Sequence, residues 1–212
     1  MPLIHDLTPP ITSSLAVWPG DTPPSREVLC DLRRGDSVTL STLRGTVHLG
    51  AHADAPSHYG PDGPAIDERN LGYYVGPCQV MRVKVMPNAR VLSEDMTGRI
   101  QAPRVLLATG TFPDPTIFNE DFAALSPQLV DVLYARGVIL VGIDTPSVDL
   151  FSSKDLPAHK RFLHHDMAIL EGLLLCGVPD GLYELIALPL RLVGFDASPV
   201  RAVLRTIDDR GG

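Results

Sequence analysis

The segment HLGAHADAPSH, residues 48 to 58, places His48, His52, Asp54 and His58 within eleven residues. Imidazole and carboxylate together suit zinc, iron or manganese, and several such donors from one short segment are a common start to a divalent metal site. Counted from His48, the polar groups fall at offsets of 4, 6 and 10. All are even, so an extended chain turns them to one side and Leu49, Ala51, Ala53, Ala55 and Ser57 to the other. A helix would put Asp54 and His58 on a different face from His48 and His52, and Gly50 and Pro56 are poor helix-interior residues. A straight strand spreads the four groups over about 33 Å, too far for one centre. The chain must therefore bend, and Gly50 and Pro56 are the natural places.

A two-metal centre needs ligands from elsewhere. Glu171 stands out, because in AILEGLLL it is set among Ile169, Leu170, Leu173 and Leu174, and a buried carboxylate requires a cation or strong donors. A metal ion would be such a cation; an arginine such as Arg191 would be the structural alternative. His159, His164 and His165 lie just upstream. The pattern does not choose cleanly among them, although His159 shares the apolar side with Leu156, Phe162 and Leu163, while His164 and His165 suit a solvated role.

The elements that must position these groups are short. Strands are predicted at 78–85, 104–109, 137–143, 183–195 and 201–207, all β-branched or aliphatic. In SPQLVDVLYARG, residues 126 to 137, Ser126 can cap a helix, Pro127 suits its first turn, and Leu129, Val132, Leu133 and Val138 approximate one apolar stripe. Gly137 ends it, and GVILVGID follows as a strand covered on both faces. A second short helix is expected to begin near Pro157. These elements give a mixed α/β domain, rich in strands, with a few helices.

With 212 residues the chain suits one domain spanning 1–212, and 44% hydrophobic against 20% charged residues is a globular composition. A formal charge of −7, with no basic block longer than a pair, argues against nucleic acid or an anionic membrane and favours a small-molecule partner. Cys30, Cys78 and Cys176 are far apart and odd in number, suggesting small buried hydrophobes with neither a disulfide framework nor a thiolate zinc site. No signal peptide or long apolar span is visible, so a cytoplasmic location is expected.

HLGAHADAPSH resembles the H-x-G-T-H-x-D-x-P-x-H signature of the metal-dependent cyclase-like hydrolases, departing only at Ala51, which points away from the polar side. VWPGDTP, GIDTPSVD, DLPAHKRFL, AILEGLLL and YELIALPLRLVGFDASPVRAVLR look like the bacterial kynurenine formamidase branch of that family, so the resemblance covers nearly the whole chain. It implies a compact, strand-rich mixed-sheet α/β sandwich of the swivelling β/β/α type, assembled as a homodimer, the N-terminal segment helping to close a neighbour's pocket. It also implies two divalent ions per subunit, zinc foremost, one held by His48, His52 and Asp54, with Asp54 bridging to a second held by His159 and Glu171. The twelve-residue spacing to Glu171 selects His159. The implied activity is hydrolysis of N-formyl-L-kynurenine to formate and L-kynurenine in tryptophan degradation by a metal-activated water, with His58 as acid/base. Trp18, the one tryptophan, sits in a Pro-flanked loop and could stack on the substrate ring. Two alternatives stand beside this: a sister hydrolase of another amide, cyclic amide or lactone of the isatin type, and a metal-binding protein without turnover.

Overall fold

The computed structural model describes residues 2–207. Its strands in chain order are β1 (Ile4–Asp6), β2 (Ser25–Cys30), β3 (Leu40–Arg44), β4 (His52–Asp54), β5 (Val75–Arg82), β6 (Arg90–Val91) and β7 (Arg104–Ala108). They continue with β8 (Ala124–Leu125), β9 (Leu140–Ile143), β10 (Ala168–Glu171), β11 (Gly181–Ile186), β12 (Ala197–Pro199) and β13 (Val203–Thr206). Two α-helices, α1 (Pro127–Ala135) and α2 (Pro157–His165), precede β9 and β10 respectively. Nine strands form one mixed sheet in the order β1-β13-β11-β5-β7-β9-β10-β4-β12. Its centre, β5-β7-β9-β10, is parallel, and both ends are antiparallel.

The central strands are apolar on both faces, as expected of parallel strands covered on each side. Val105 and Leu107 of β7 face one apolar cluster with Val141, Ile143 and Ile169, which α1 completes with Leu129, Val130 and Leu133 and α2 with Ala158 and Phe162. Leu106 and Ala108 face the opposite cluster with Leu170, Leu185 and Tyr74. Ala51, Ala53 and Ala55 belong to that second cluster, all at most 1% exposed. The side chains between them, His52 and Asp54, therefore project to the helix-covered face.

Ser126 caps α1 by accepting from the Leu129 N–H, with Pro127 in the first turn, and Leu129, Val130 and Leu133 are buried. Leu129, Leu133 and Val138 are buried as the pattern reads, while Val132 is half-buried and Val130 is buried in its stead. The apolar stretch 183–195 is strand only to Ile186. Pro189 has no N–H for a ladder and Gly194 adopts φ 77°, so the chain loops before β12. Of the cysteines only Cys78 is buried; Cys30 is intermediate and Cys176 exposed, and all three are free. No helix among the described residues is long and apolar enough to cross a membrane.

Candidate metal centre

The bends demanded by the 48–58 segment are where the sequence puts them. His48 sits in a turn, Gly50 takes φ 58°, and β4 carries His52 and Asp54, paired on one edge with β10 and on the other with β12. Pro56 then opens a 3-10 turn, Pro56–His58, in which the His58 N–H donates to the Ala55 carbonyl at 3.0 Å. The turn folds His58 back over the strand, leaving its ring centroid 4.3 Å from that of His48.

Asp54 lies at the middle of the cluster. Its Oδ1 is 3.2 Å from His48 Nδ1 and 3.5 Å from His52 Nε2, while its Oδ2 is 3.4 Å from His159 Nε2. Glu171, the last residue of β10, stands directly across from His52 in the ladder. Its Oε2 is 3.3 Å from His52 Nε2 and its Oε1 3.6 Å from His159 Nε2, and Oε1 also accepts from the Val148 N–H at 2.7 Å. No arginine pairs with Glu171 among the described residues. His164 is exposed, whereas His165 lies 2.7 Å from Asp131 and stacks on Tyr134, a structural role in place of the solvated one expected.

Two carboxylates escaped the sequence reading. Asp149, fully buried, accepts from His159 Nδ1–H at 2.9 Å and from the N–H groups of Ala158 and His159, and takes a 2.9 Å contact from Arg90. It thereby supplies from outside the N-terminal cap that Leu156 does not give α2. Asp196 Oδ2 is 2.9 Å from His48 Nε2 and 3.4 Å from His58 Nδ1. Asp149 is flanked by the apolar Val148 and Leu150, the same sign of costly burial that marked Glu171, whereas the Asp196 side chain is 48% exposed and carries no such sign.

The surplus of carboxylates governs the local protonation. Burial would pull His48 and His159 down, but the negative carboxylates close beside them, Asp54 and Asp196 for His48 and Asp149 and Asp54 for His159, push them up to about 9 and about 10. Burial likewise opposes ionisation of Asp54, yet its contacts with His159, His48 and His52 hold it well below the usual carboxylate range.

The residues fit a divalent ion. His52 Nε2 and both carboxylate oxygens of Asp54 are buried and have no hydrogen-bond partner in the protein. Buried polar atoms left so are expensive unless something binds them. The other nitrogen of His52 donates to the Gly50 carbonyl at 2.9 Å and that of His159 donates to Asp149, which fixes each ring and leaves its Nε2 free to bind a metal. His52, Asp54 and Glu171 bring ligand atoms within 4.8 Å of one another, and so do His48, Asp54 and His58. His58 is thus near enough to ligate, but its side chain is 37% exposed, at the mouth of the cluster.

His48, His52, His58, His159 and Glu171 line a cavity of about 420 Å³ together with Trp18, Phe112, Phe118, Pro115 and Pro146, and Asp54 is buried behind them. Trp18 is half-buried and packs on Phe151 and Phe118, with centroids 5.0 and 5.5 Å away. No Lys or Arg lines the cavity among the described residues.

Residues 5–150 match the model of the cyclase family, described as "Putative cyclase", and the chain belongs to that family. Among solved structures, a potential metal-dependent hydrolase with cyclase activity is 27% identical, with TM-score 0.85, over 98% of this chain and 100% of that one. A predicted metal-dependent hydrolase from Bacillus stearothermophilus is 28% identical over the same shares, with TM-score 0.82. Isatin hydrolase A from Labrenzia aggregata, bound to benzyl benzoate, shares the fold: TM-score 0.84 at 23% identity, over 97% of this chain and 94% of that one.

Proposed function

We propose that the protein is a metal-dependent arylformamidase that hydrolyses N-formyl-L-kynurenine to L-kynurenine and formate. The observation that carries this is Asp54, buried, whose two oxygens have no hydrogen-bond partner and lie against His48 and His159, two residues that line an aromatic-walled cavity. His48, His52 and Asp54 would hold one divalent ion, and Asp54, His159 and Glu171 a second, with zinc the metal that suits this donor set. When bound, the metals supply an acidified water and a Lewis acid for the formyl oxygen. Trp18 offers a face to the aryl ring, and Phe112 and Phe118 help exclude water from it. The departing aryl amine is a poor leaving group until protonated. His58, exposed at the mouth of the cluster, is placed to give it a proton.

The likeness to the isatin hydrolase fold supports a second reading, ring opening of a cyclic aryl amide, which needs the same metals and the same wall. A binding protein without turnover would have no use for a base left outside a closed ligand set. The hairpin of β2 and β3 exposes Leu29, Leu32, Leu40 and Leu43, which supports a homodimer, since an isolated two-stranded ribbon is marginal alone. Free cysteines suit the cytoplasm.

The test is metal content per chain by elemental analysis on protein purified without added metal, with formate release from N-formyl-L-kynurenine measured before and after chelation. About two zinc per chain and chelator-sensitive turnover are expected. Metal without turnover on this substrate moves the assignment to the cyclic amides, and metal-free protein that takes none up removes the proposal.

A further inference from the structure

We propose that Asp196 is the positioning residue for His58, fixing which ring nitrogen faces the cavity. The inference rests on the formamidase reading above, in which His58 gives up the proton.

The two residues are set against each other through one residue, Ala55. The Ala55 N–H donates to the Asp196 carbonyl at 2.9 Å, and the Ala55 carbonyl accepts from the His58 N–H at 3.0 Å. Phe195 is tied as well, its carbonyl accepting from the Ile66 N–H, and Ala197 pairs with Asp54 in the β12–β4 ladder. The Asp196 backbone is thus pinned to the strand that carries Asp54, immediately beside the turn that presents His58. Its Oδ2 reaches His58 Nδ1 at 3.4 Å and His48 Nε2 at 2.9 Å. The 2.9 Å contact with His48 is a hydrogen bond and the 3.4 Å one with His58 a charge contact, yet a carboxylate beside Nδ1 favours the proton there and leaves Nε2 to exchange one in the cavity, the logic by which a third group orients a catalytic histidine.

In the reaction, water adds to the formyl carbon to make a C–O bond, and the C–N bond breaks with its electron pair passing to nitrogen. The nitrogen takes a proton from His58 Nε2, and the proton shed by the attacking water restores the imidazolium. The Nδ1 proton stays on the Asp196 side throughout. Without Asp196 the ring can turn or adopt the other tautomer, and proton delivery falters while metal and substrate still bind. Because the same oxygen serves His48, loss of metal is the competing outcome.

The experiment compares wild type, Asp196→Asn, His58→Ala and the double variant. Turnover is measured on formanilides whose amines range from basic anilines to nitroanilines, alongside metal content per chain and 15N NMR of the His58 ring. For Asp196→Asn the expected result is a kcat loss on the order of 10-fold to 10²-fold on basic anilines, bounded by what a positioned acid contributes. KM and metal content should change little, the loss should shrink as the amine becomes a better leaving group, and no further loss should appear in the His58→Ala background. The His58 ring should shift away from its Nδ1–H form. Equal losses on every leaving group, additive losses in the double variant, metal loss, or an unchanged ring would each overturn the proposal. Should wild type hydrolyse no formanilide, the formamidase reading fails, and the ring spectra still decide whether Asp196 holds His58.

Discussion

Asp54 draws its histidine neighbours from the 48–50 turn, β4 and α2, and each meets a particular oxygen of it. Asp54→Ala is therefore expected to empty both halves of the site, whereas His58→Ala should keep its metal and lose about 10² to 10⁴ in turnover. Elemental analysis beside kcat separates them, and metal loss in His58→Ala would make it a ligand. Protonation gives a second expectation. His48 and His159 rise from 6.5 to about 9 and about 10 in the folded, metal-free chain. A histidine raised on folding adds stability that is full below its unfolded value and lost as pH climbs through its folded value. The metal-free protein should accordingly lose thermal stability between about pH 6.5 and 10, and zinc should expel protons across that window. Calorimetry in buffers of different ionisation heat counts those protons; none released at pH 7.5 would contradict the assignment.

At the scale of elements, Gly172 ends β10 just past Glu171 with φ 66°, and a Cβ there would lie 2.2 Å from the Gly50 carbonyl oxygen. Gly172→Ala should cost roughly 1–3 kcal/mol in a denaturant melt. It should also weaken metal binding, because Gly50 stands between His48 and His52 and accepts from the latter. Ser126→Ala should cost about 1 kcal/mol and leave metal binding alone. These differences bear on what the sequence could reveal. The alternation of His52 and Asp54 with Ala51, Ala53 and Ala55 disclosed the ligand face although β4 is only three residues long, because side-chain period survives where strand length does not. The runs at 104–109 and 137–143 were legible because both faces of β7 and β9 are buried. The loop after Ile186 was not, since its apolar residues serve no ladder. Asp149 was passed over although the cost of burying a carboxylate among apolar neighbours marks it, and Asp196, half-exposed, has no such mark because its histidine partners arrive from a distant segment.

For the molecule as a whole, the hairpin Ser25–Arg44 presents Leu29 at 53% and Leu43 at 64% exposure. Patches of this kind mark interaction surfaces when they are contiguous. Sedimentation should give twice the chain mass, and Leu29→Lys with Leu43→Lys should halve it; wild type sedimenting as a monomer would remove the dimer. Since metal binds the folded chain and not the unfolded one, chelation should lower the melting temperature, by an amount equivalent to about 2.7 kcal/mol where the ion stood at a hundred times its Kd. The pairing of β4 on both edges has a practical side. Two candidate ligands, His52 and Asp54, are held by backbone ladders to β10 and β12, so stripping the metal should leave the scaffold standing. The protein should then accept a coloured substitute such as cobalt without a refolding step, and its absorption bands would report on each half of the site in turn.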